Sequence, residues 1–357
     1  MAAPRYRRCA AALTGIIVML VFIGCSRVAE PAQATPPRYV VGLKQVEFVD
    51  DASQDGPRHL SVSMFYPADP PAKSAHAFTT PFFVGLDMFR DVEPVSDGQR
   101  HPLVLFSHGR GSNGLQYAWF AQALASHGFI VAALDHYRAN TNESSIVYLA
   151  NKLWQRPRDL SLITDFLRAD PYWGPRLDSN RIGVAGHSQG GFAALWIGGA
   201  MVNAQKYLDF QRGWKNNLTI PAYLRAQLPL DPEPALHVAD PRIKAVFAMA
   251  PGIVQAFGMD KAGLQRLKVP TYITVGAADT QTPVEENAEF AAEHIPGAEL
   301  NVIPGHVDHE IFVNECNQIG RDEFPEACID APGVDRAAVH RSVAEAAVGF
   351  FDARLTG

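Results

Sequence analysis

Apolar residues follow two alternating rhythms along this chain. Residues 39–48 and 59–66 carry alternating and β-branched side chains around a polar, glycine-containing turn, which predicts an antiparallel pair opening the folded part. Residues 103–107 (LVLFS) form a short continuous apolar run, as expected of a strand buried on both faces. Comparable runs follow at 129–134, 181–185, 243–248, 271–275 and 300–303. Between them, helical spacing marks 116–127, 156–168, 190–199 and 283–294, and an Ala/Val/Phe-rich helix at 336–354 ends the series. Strands alternating with helices predict an α/β fold, with a mostly parallel central sheet and helices on both faces.

The rhythm breaks at 201–240, a stretch with several prolines, mixed charges and no clean strand. It reads as a cap insertion over the carboxyl edge of the sheet, or else as a surface insertion with no role. Trp214, Tyr223 and Leu228 are its candidates for lining a pocket or packing the cap.

Residues 1–24 follow a targeting pattern: Arg5, Arg7 and Arg8 precede an almost wholly apolar run from Ala10 to Gly24, too short for a comfortable membrane span. The run ends in Phe22-Ile23-Gly24-Cys25-Ser26, which resembles the bacterial lipobox and implies lipidation at Cys25. An ordinary signal peptide cut nearby, or an uncleaved anchor, is the plainer alternative. Residues 25–38 then serve as an Ala/Pro-rich tether, and 39–357 form one domain carrying the cap insertion. The expected location is the periplasm or cell envelope, with a lipid anchor as the membrane contact.

The formal net charge of −6 includes three leader arginines, whose removal leaves about −9, so no basic footprint for nucleic acid exists. The 357 residues, 47% hydrophobic, suffice for one large core. Of four cysteines, Cys9 leaves with the leader and Cys25 is committed by the lipobox. Cys316 and Cys328 remain, spaced to close a short loop in an oxidising compartment. Neither has the spacing of a zinc site, and no metal is expected.

The chemistry centres on Gly186-His187-Ser188-Gln189-Gly190-Gly191, directly after the run 181–185 and before a helix pattern. Small residues around a serine in a strand–turn–helix setting mark a nucleophile elbow, the turn typical of the α/β-hydrolase fold. There the acid and then the histidine follow on later loops. Asp279 is the only carboxylate in the loop 276–283, although a turn or helix-start aspartate would look the same. His306 and His309 both sit in the next such loop, and sequence distance leans to His306. His340, on the last helix pattern, reads as a packing or surface residue. The oxyanion donors are expected to be the backbone N–H groups of Gln189 and of Arg110, in the glycine-containing loop His108-Gly109-Arg110-Gly111-Ser112. His108 reads as a loop brace.

With these residues in place, the chain resembles the predicted dienelactone hydrolase group that includes platelet-activating factor acetylhydrolase and related bacterial esterases. The likeness is carried by residues 102–109 (PLVLFSHG), 125–133 (ASHGFIVAA), Arg156-Pro157-Arg158-Asp159, 186–191, 240–245 (DPRIKA), 250–252 (APG), 276–283 and 335–340 (DRAAVH). It implies His309 as the base, since the group's histidine precedes a Phe by three residues and a Cys by seven, as His309 precedes Phe312 and Cys316. It also supports a Cys316–Cys328 bridge. The sequence departs from the group at Asp308, where Gly is usual. Dienelactone hydrolases proper use a cysteine nucleophile, so Ser188 implies ester hydrolysis rather than lactone opening.

The resulting expectation is a carboxylic ester hydrolase acting through an acyl-enzyme. Ser188, His309 and Asp279 form the triad, short acyl chains are favoured, and no cofactor is needed. The substrate would be a small-molecule or lipid ester. Amide, peptide or phospholipid acyl cleavage on the same triad is the alternative. A non-catalytic envelope binding protein is a third reading, disfavoured because no triad member is missing.

Overall fold

The computed structural model describes residues 36–53, 56–70, 76–146, 152–218, 222–226 and 236–355, with the side chains of Trp214 and Leu224 excepted. The leader, Cys25, most of the tether and Leu228 lie outside the described residues.

β1 (Val40–Asp50) and β2 (Arg58–Ala68) pair antiparallel, in register from Val40 opposite Ala68 to Asp50 opposite Arg58. β3 (Phe89–Arg90) is a two-residue strand added parallel to the outer side of β1. The chain then alternates: β4 (His101–Ser107), α1 (Ala118–Ser126), β5 (Ile130–Asp135), α2 (Gln155–Ala169), β6 (Leu177–His187), α3 (Gln189–Ile197). After α4 (Ala204–Asn216) and α5 (Ala222–Ala226) come β7 (Ile243–Met249), α6 (Lys261–Leu264), β8 (Thr271–Gly276), α7 (Phe290–His294) and β9 (Glu299–Ile303). Two short helices, α8 (Gln318–Glu323) and α9 (Pro325–Cys328), precede the long α10 (Arg336–Arg354).

The nine strands are ordered β3-β1-β2-β5-β4-β6-β7-β8-β9, and from β5 to β9 every neighbouring pair is parallel. The order reverses around β4, because the chain leaves it toward β5 on one side and returns to β6 on the other. Such a reversal opens a crevice at the strands' carboxyl ends. The loops after β4 and β6, residues 108–112 and Ser188, therefore face one another.

Burial explains the apolar runs. Leu103, Val104, Leu105 and Phe106 of β4 are at most 1% exposed, covered on both faces. α3 is buried from Gly190 to Ile197, so its sequence is apolar on every side rather than amphipathic. β9 is the edge strand, and Leu300 stays partly exposed there.

The structure adds three details to that reading. The helix foreseen at 283–294 starts with a wide π-type turn, Glu285–Glu289, before α7. The segment between the two cysteines folds into α8 and α9, too short to show helical periodicity. In the 201–240 stretch, α4 buries Tyr207 and sets Phe210 edge-on to Phe257, with ring centroids 4.6 Å apart. Among the described residues, none of that stretch lines the cavity that holds Ser188.

Candidate active site

Ser188 links β6 to α3 with φ 55° and ψ −120°, a region costly for any residue with a side chain. Its neighbours explain how the turn closes. A Cβ on Gly186 would stand 2.3 Å from the carbonyl oxygen of Gly190, and one on Gly190 would stand 1.9 Å from that of Ser107. The Ser188 N–H donates to the Met249 carbonyl at 2.9 Å, and the Ser188 carbonyl accepts from Gly252 at 3.1 Å. Both contacts pin the turn to the end of β7. The hydroxyl is left at the start of a helix, where N–H groups favour negative charge.

Ser188, Gln189, Arg110, Gln281, His309 and Glu310 all line one cavity of about 250 Å³. His309 is 3% exposed and opens a short helical turn whose N–H of Glu310 is capped by the Asp308 carboxylate at 3.1 Å. Its Nδ1 lies 2.7 Å from Asp279 Oδ2. The Asp279 carboxylate also accepts from the N–H of Gln281 (3.0 Å), the N–H of Thr282 (2.8 Å) and the Thr282 hydroxyl (2.8 Å). With acceptors alone on the carboxylate, Nδ1 carries the proton of the neutral ring and Nε2 keeps its lone pair. His306, three residues earlier, is exposed and does not line the cavity.

The loop after β4 is held from below. The Arg156 guanidinium, 3% exposed, donates to the carbonyls of His108 (2.6 Å) and Gly109 (3.1 Å). His108 Nδ1 also donates to the Gly109 carbonyl, at 2.6 Å, while its Nε2 accepts from the His136 N–H at 3.1 Å. In a trans peptide the next N–H points opposite the carbonyl. Fixing the Gly109 carbonyl on the Arg156 side therefore turns the Arg110 N–H away from the guanidinium, and Arg110 lines the cavity.

Beneath this lies a buried polar chain. Ser107 Oγ donates to His136 Nε2 at 2.8 Å, and His136 Nδ1 donates to Asp159 Oδ2 at 3.1 Å. Asp159 closes on the Arg58 guanidinium. Burial pushes His108 and His136 far below the ordinary histidine range, keeping both neutral. It raises Asp159 to about 6, with Arg58 and Arg156 opposing the rise, and lowers Arg156 to about 10. The carboxylate and the guanidinium thus both remain charged near neutral pH.

A second chain joins the two loops. His187 Nε2 donates to the His309 carbonyl at 3.1 Å, so its Nδ1 accepts from the Tyr117 hydroxyl at 2.9 Å. The Tyr117 oxygen in turn accepts from the Gly109 N–H at 3.3 Å. Burial, with His309 adding to it, keeps His187 neutral. Cys316 and Cys328 form a disulfide, with Cα atoms 5.5 Å apart. His340 is buried, stacked on Trp119 at 3.9 Å, and donates from Nε2 to the Ile311 carbonyl at 2.7 Å.

The sequence reading placed Ser188, Gln189, Arg110, Asp279 and His309; the structure sets four of them around one cavity, with Asp279 hydrogen-bonded to His309 behind it. It passed over Arg156, Asp159, Tyr117, His187 and Thr282. The signals for Arg156 and Asp159 were their place in the family likeness and charge on the apolar side of the α2 pattern, beside Leu160 and Ile163.

Among solved structures, the chain is similar to the ferulic acid esterase from Streptomyces cinnamoneus, with a TM-score of 0.61 over 92% of each chain and 22% identity. The chain has the α/β-hydrolase fold. The family described as platelet-activating factor acetylhydrolase, isoform II matches residues 87–161, which hold the loop 108–112 and Arg156 to Asp159 but stop short of Ser188. Platelet-activating factor acetylhydrolase from Canis lupus familiaris is 36% identical over 73 residues, 19% of this chain, and that from Bos taurus 39% over 69 residues, 18% of this chain. The match spans 16% of the length of each relative.

Proposed function

We propose that this chain is a serine hydrolase that cleaves carboxylic esters of short acids. The observation that carries this reading is a serine on a strained strand–helix turn, sharing a small cavity with a histidine whose Nδ1 is 2.7 Å from a buried carboxylate. The matches to proteins named acetylhydrolase, and the fold shared with a named esterase, support it.

In the proposed reaction Ser188 Oγ attacks the ester carbonyl while His309 Nε2 takes its proton. Asp279 holds the ring in the required tautomer and stabilises its positive charge. The carbonyl oxygen, now negative, sits against the N–H groups of Gln189 and Arg110. Collapse of the adduct breaks the bond to the alcohol oxygen, which receives the proton from His309. Water then attacks the acyl carbonyl while His309 takes its proton, and the second adduct breaks the bond to Ser188 Oγ, which receives that proton from His309 as the acid leaves.

The substrate is a small-molecule or lipid ester. Export, with a lipid anchor at Cys25, completes the reading. A disulfide between Cys316 and Cys328 is in keeping with an oxidising compartment.

A fluorophosphonate probe tests the nucleophile. The expected result is one labelled site, lost in Ser188→Ala together with turnover of p-nitrophenyl acetate. Labelling or turnover that survives in Ser188→Ala removes the reading. Radiolabelled palmitate incorporation that disappears in Cys25→Ala tests the anchor, and equal incorporation in both proteins refutes it.

A further inference from the structure

Three backbone carbonyls in the segment that begins at His309 are each capped by a ring N–H. His187 Nε2 donates to that of His309 at 3.1 Å, His340 Nε2 to that of Ile311 at 2.7 Å, and Trp119 Nε1 to that of Phe312 at 2.8 Å. Trp119 stands on α1 and His340 on α10, and their rings stack 3.9 Å apart. Asn314 adds a further tie: its side chain accepts from the Trp119 N–H at 3.1 Å and donates to the Leu115 carbonyl at 2.7 Å. Residues 309–314 are therefore fixed to two packed helices by bonds that do not pass through His187.

The loop 108–112 is held from two sides. Arg156 takes the carbonyls of His108 and Gly109 on the side of α2. The Gly109 N–H faces the other way, and among the described residues its acceptor is the Tyr117 hydroxyl at 3.3 Å. That hydroxyl passes its own proton to His187 Nδ1 at 2.9 Å. Tyr117 and His187 are each 2% exposed, so solvent does not weaken these bonds. Burial pushes the tyrosine up and the histidine down, so Tyr117 keeps its proton and His187 Nδ1 its lone pair. The chain is polarised one way, from Gly109 to the His309 carbonyl. Glycine at 109 leaves room for it, since a Cβ there would stand 3.0 Å from the Tyr117 oxygen and 3.3 Å from His187 Nδ1.

We infer that Tyr117 and His187 are positioning residues: they carry the fixed place of the His309 segment across to Gly109, and so set where the loop bearing Arg110 stands relative to Ser188. The inference rests on the ester-hydrolase reading above. The effect is one-sided. The His309 segment has other anchors, whereas the Gly109 N–H has this one, so cutting the chain frees the loop 108–112 and leaves His309 on Asp279. In the reaction, the negative carbonyl oxygen of the adduct loses support while proton transfer to His309 does not. The loss belongs in kcat and not in KM.

Tyr117→Phe keeps the ring and removes both bonds. With p-nitrophenyl acetate its kcat should fall by about tenfold or more, with KM within about twofold. The pH midpoint of kcat/KM, which reports the base, should stay in place. The ketone 1,1,1-trifluoropentan-2-one bonds to Ser188 Oγ through its carbonyl carbon, the hydroxyl proton passing to His309 and the negative charge to the ketone oxygen. Its inhibition constant should rise by the factor that kcat/KM falls. His187→Gln keeps a donor for the His309 carbonyl but loses the acceptor for Tyr117. It should cost the same as Tyr117→Phe, and the double variant should cost no more than about twofold beyond either single one. A rise in KM at steady kcat, a shifted pH midpoint, fully additive losses, or an unchanged kcat each overturn the inference.

Hydrogen exchange reads the same point without turnover. Peptides covering 108–112 should exchange at least about fivefold faster in Tyr117→Phe and in His187→Gln, and peptides covering 309–314 at the wild-type rate. Equal loosening of both segments, or loosening of 309–314 alone, overturns the inference. A wild type without esterase activity that still shows this exchange pattern instead refutes the catalytic reading alone.

Discussion

The guanidinium of Arg156 and the carbonyl of Gly109 lie 3.1 Å apart in a site closed to solvent, and that one contact sets which way the following N–H faces. A forked, planar donor is needed, because the same side chain also reaches the carbonyl of His108 at 2.6 Å. Lysine offers a compact point charge without that fork. Arg156→Lys should lower kcat by about 100-fold, as expected for a misdirected oxyanion donor, with KM changed by no more than about threefold. Steady-state kinetics beside a thermal melt decides it. A rise in KM at unchanged kcat would show that Arg156 serves substrate binding instead.

His309 and His306 lie three residues apart but in different settings, one buried on Asp279 and the other exposed. His309→Ala should reduce ester turnover by a factor on the order of 10⁴ or more, and Asp279→Asn by about the same through the wrong ring tautomer. His306→Ala should leave turnover within about twofold. Equal losses in the two histidine variants would contradict the assignment of the base.

His340 gives a dependence of stability on pH whose sign follows from its burial. Its folded value is pushed down to about 3 from the ordinary 6.5, chiefly by burial, so the folded protein keeps the ring neutral. Between about 3 and 6.5 the unfolded chain binds a proton that the folded chain does not. Stability is therefore retained above that window and lost as the pH falls through it, by up to about 1.4 kcal/mol per pH unit. Urea unfolding of wild type and His340→Gln at several pH values between about 4 and 6 reads the difference. The variant's slope should be shallower by about one proton. Identical slopes would exclude His340 as a contributor, leaving acid sensitivity to His108, His136 and His187.

The disulfide spans a separation of 12 residues, which by loop-closure entropy corresponds to about 3 kcal/mol. Cys316→Ser with Cys328→Ser should lower the unfolding free energy by about 2–4 kcal/mol. Acetate turnover from methyl acetate should survive in the fully folded protein. An unchanged urea midpoint would mean that the loop is held by its packing and by the hydrogen bonds to residues 81–84 alone.

Much of the frame was legible because its strands are buried on both faces. Residues 103–107, 181–185 and 243–248 read as unbroken apolar runs, and each is a central strand of the sheet. The elbow was legible for a related reason. Glycines at 186 and 190 answer a backbone approach too close for any side chain, and that demand leaves a mark on sequence. β3 and the two helices between the cysteines were not legible. Each is too short to show a period, and each exists through contacts with distant residues.

The site divides the same way. Ser188, Asp279 and the loop 108–112 could be read from their places after strands, since the fold puts such loops at one edge of the sheet. Sequence distance leaned to His306 and the family likeness to His309, and the structure sets His309 against Asp279, 30 residues away.

What the chain itself determined is local: which segments are strands, where the backbone must bend at Ser188, and which loops carry titratable groups. What the tertiary structure decided is long-range, because a hydrogen bond or an apolar wall depends on distance in space and not along the chain. The reversal of strand order around β4 brings residues 108–112 against Ser188. Burial of Arg156 beneath them fixes the carbonyls of His108 and Gly109, and the disulfide at 316–328 staples a loop beside the aromatic residues 78–83.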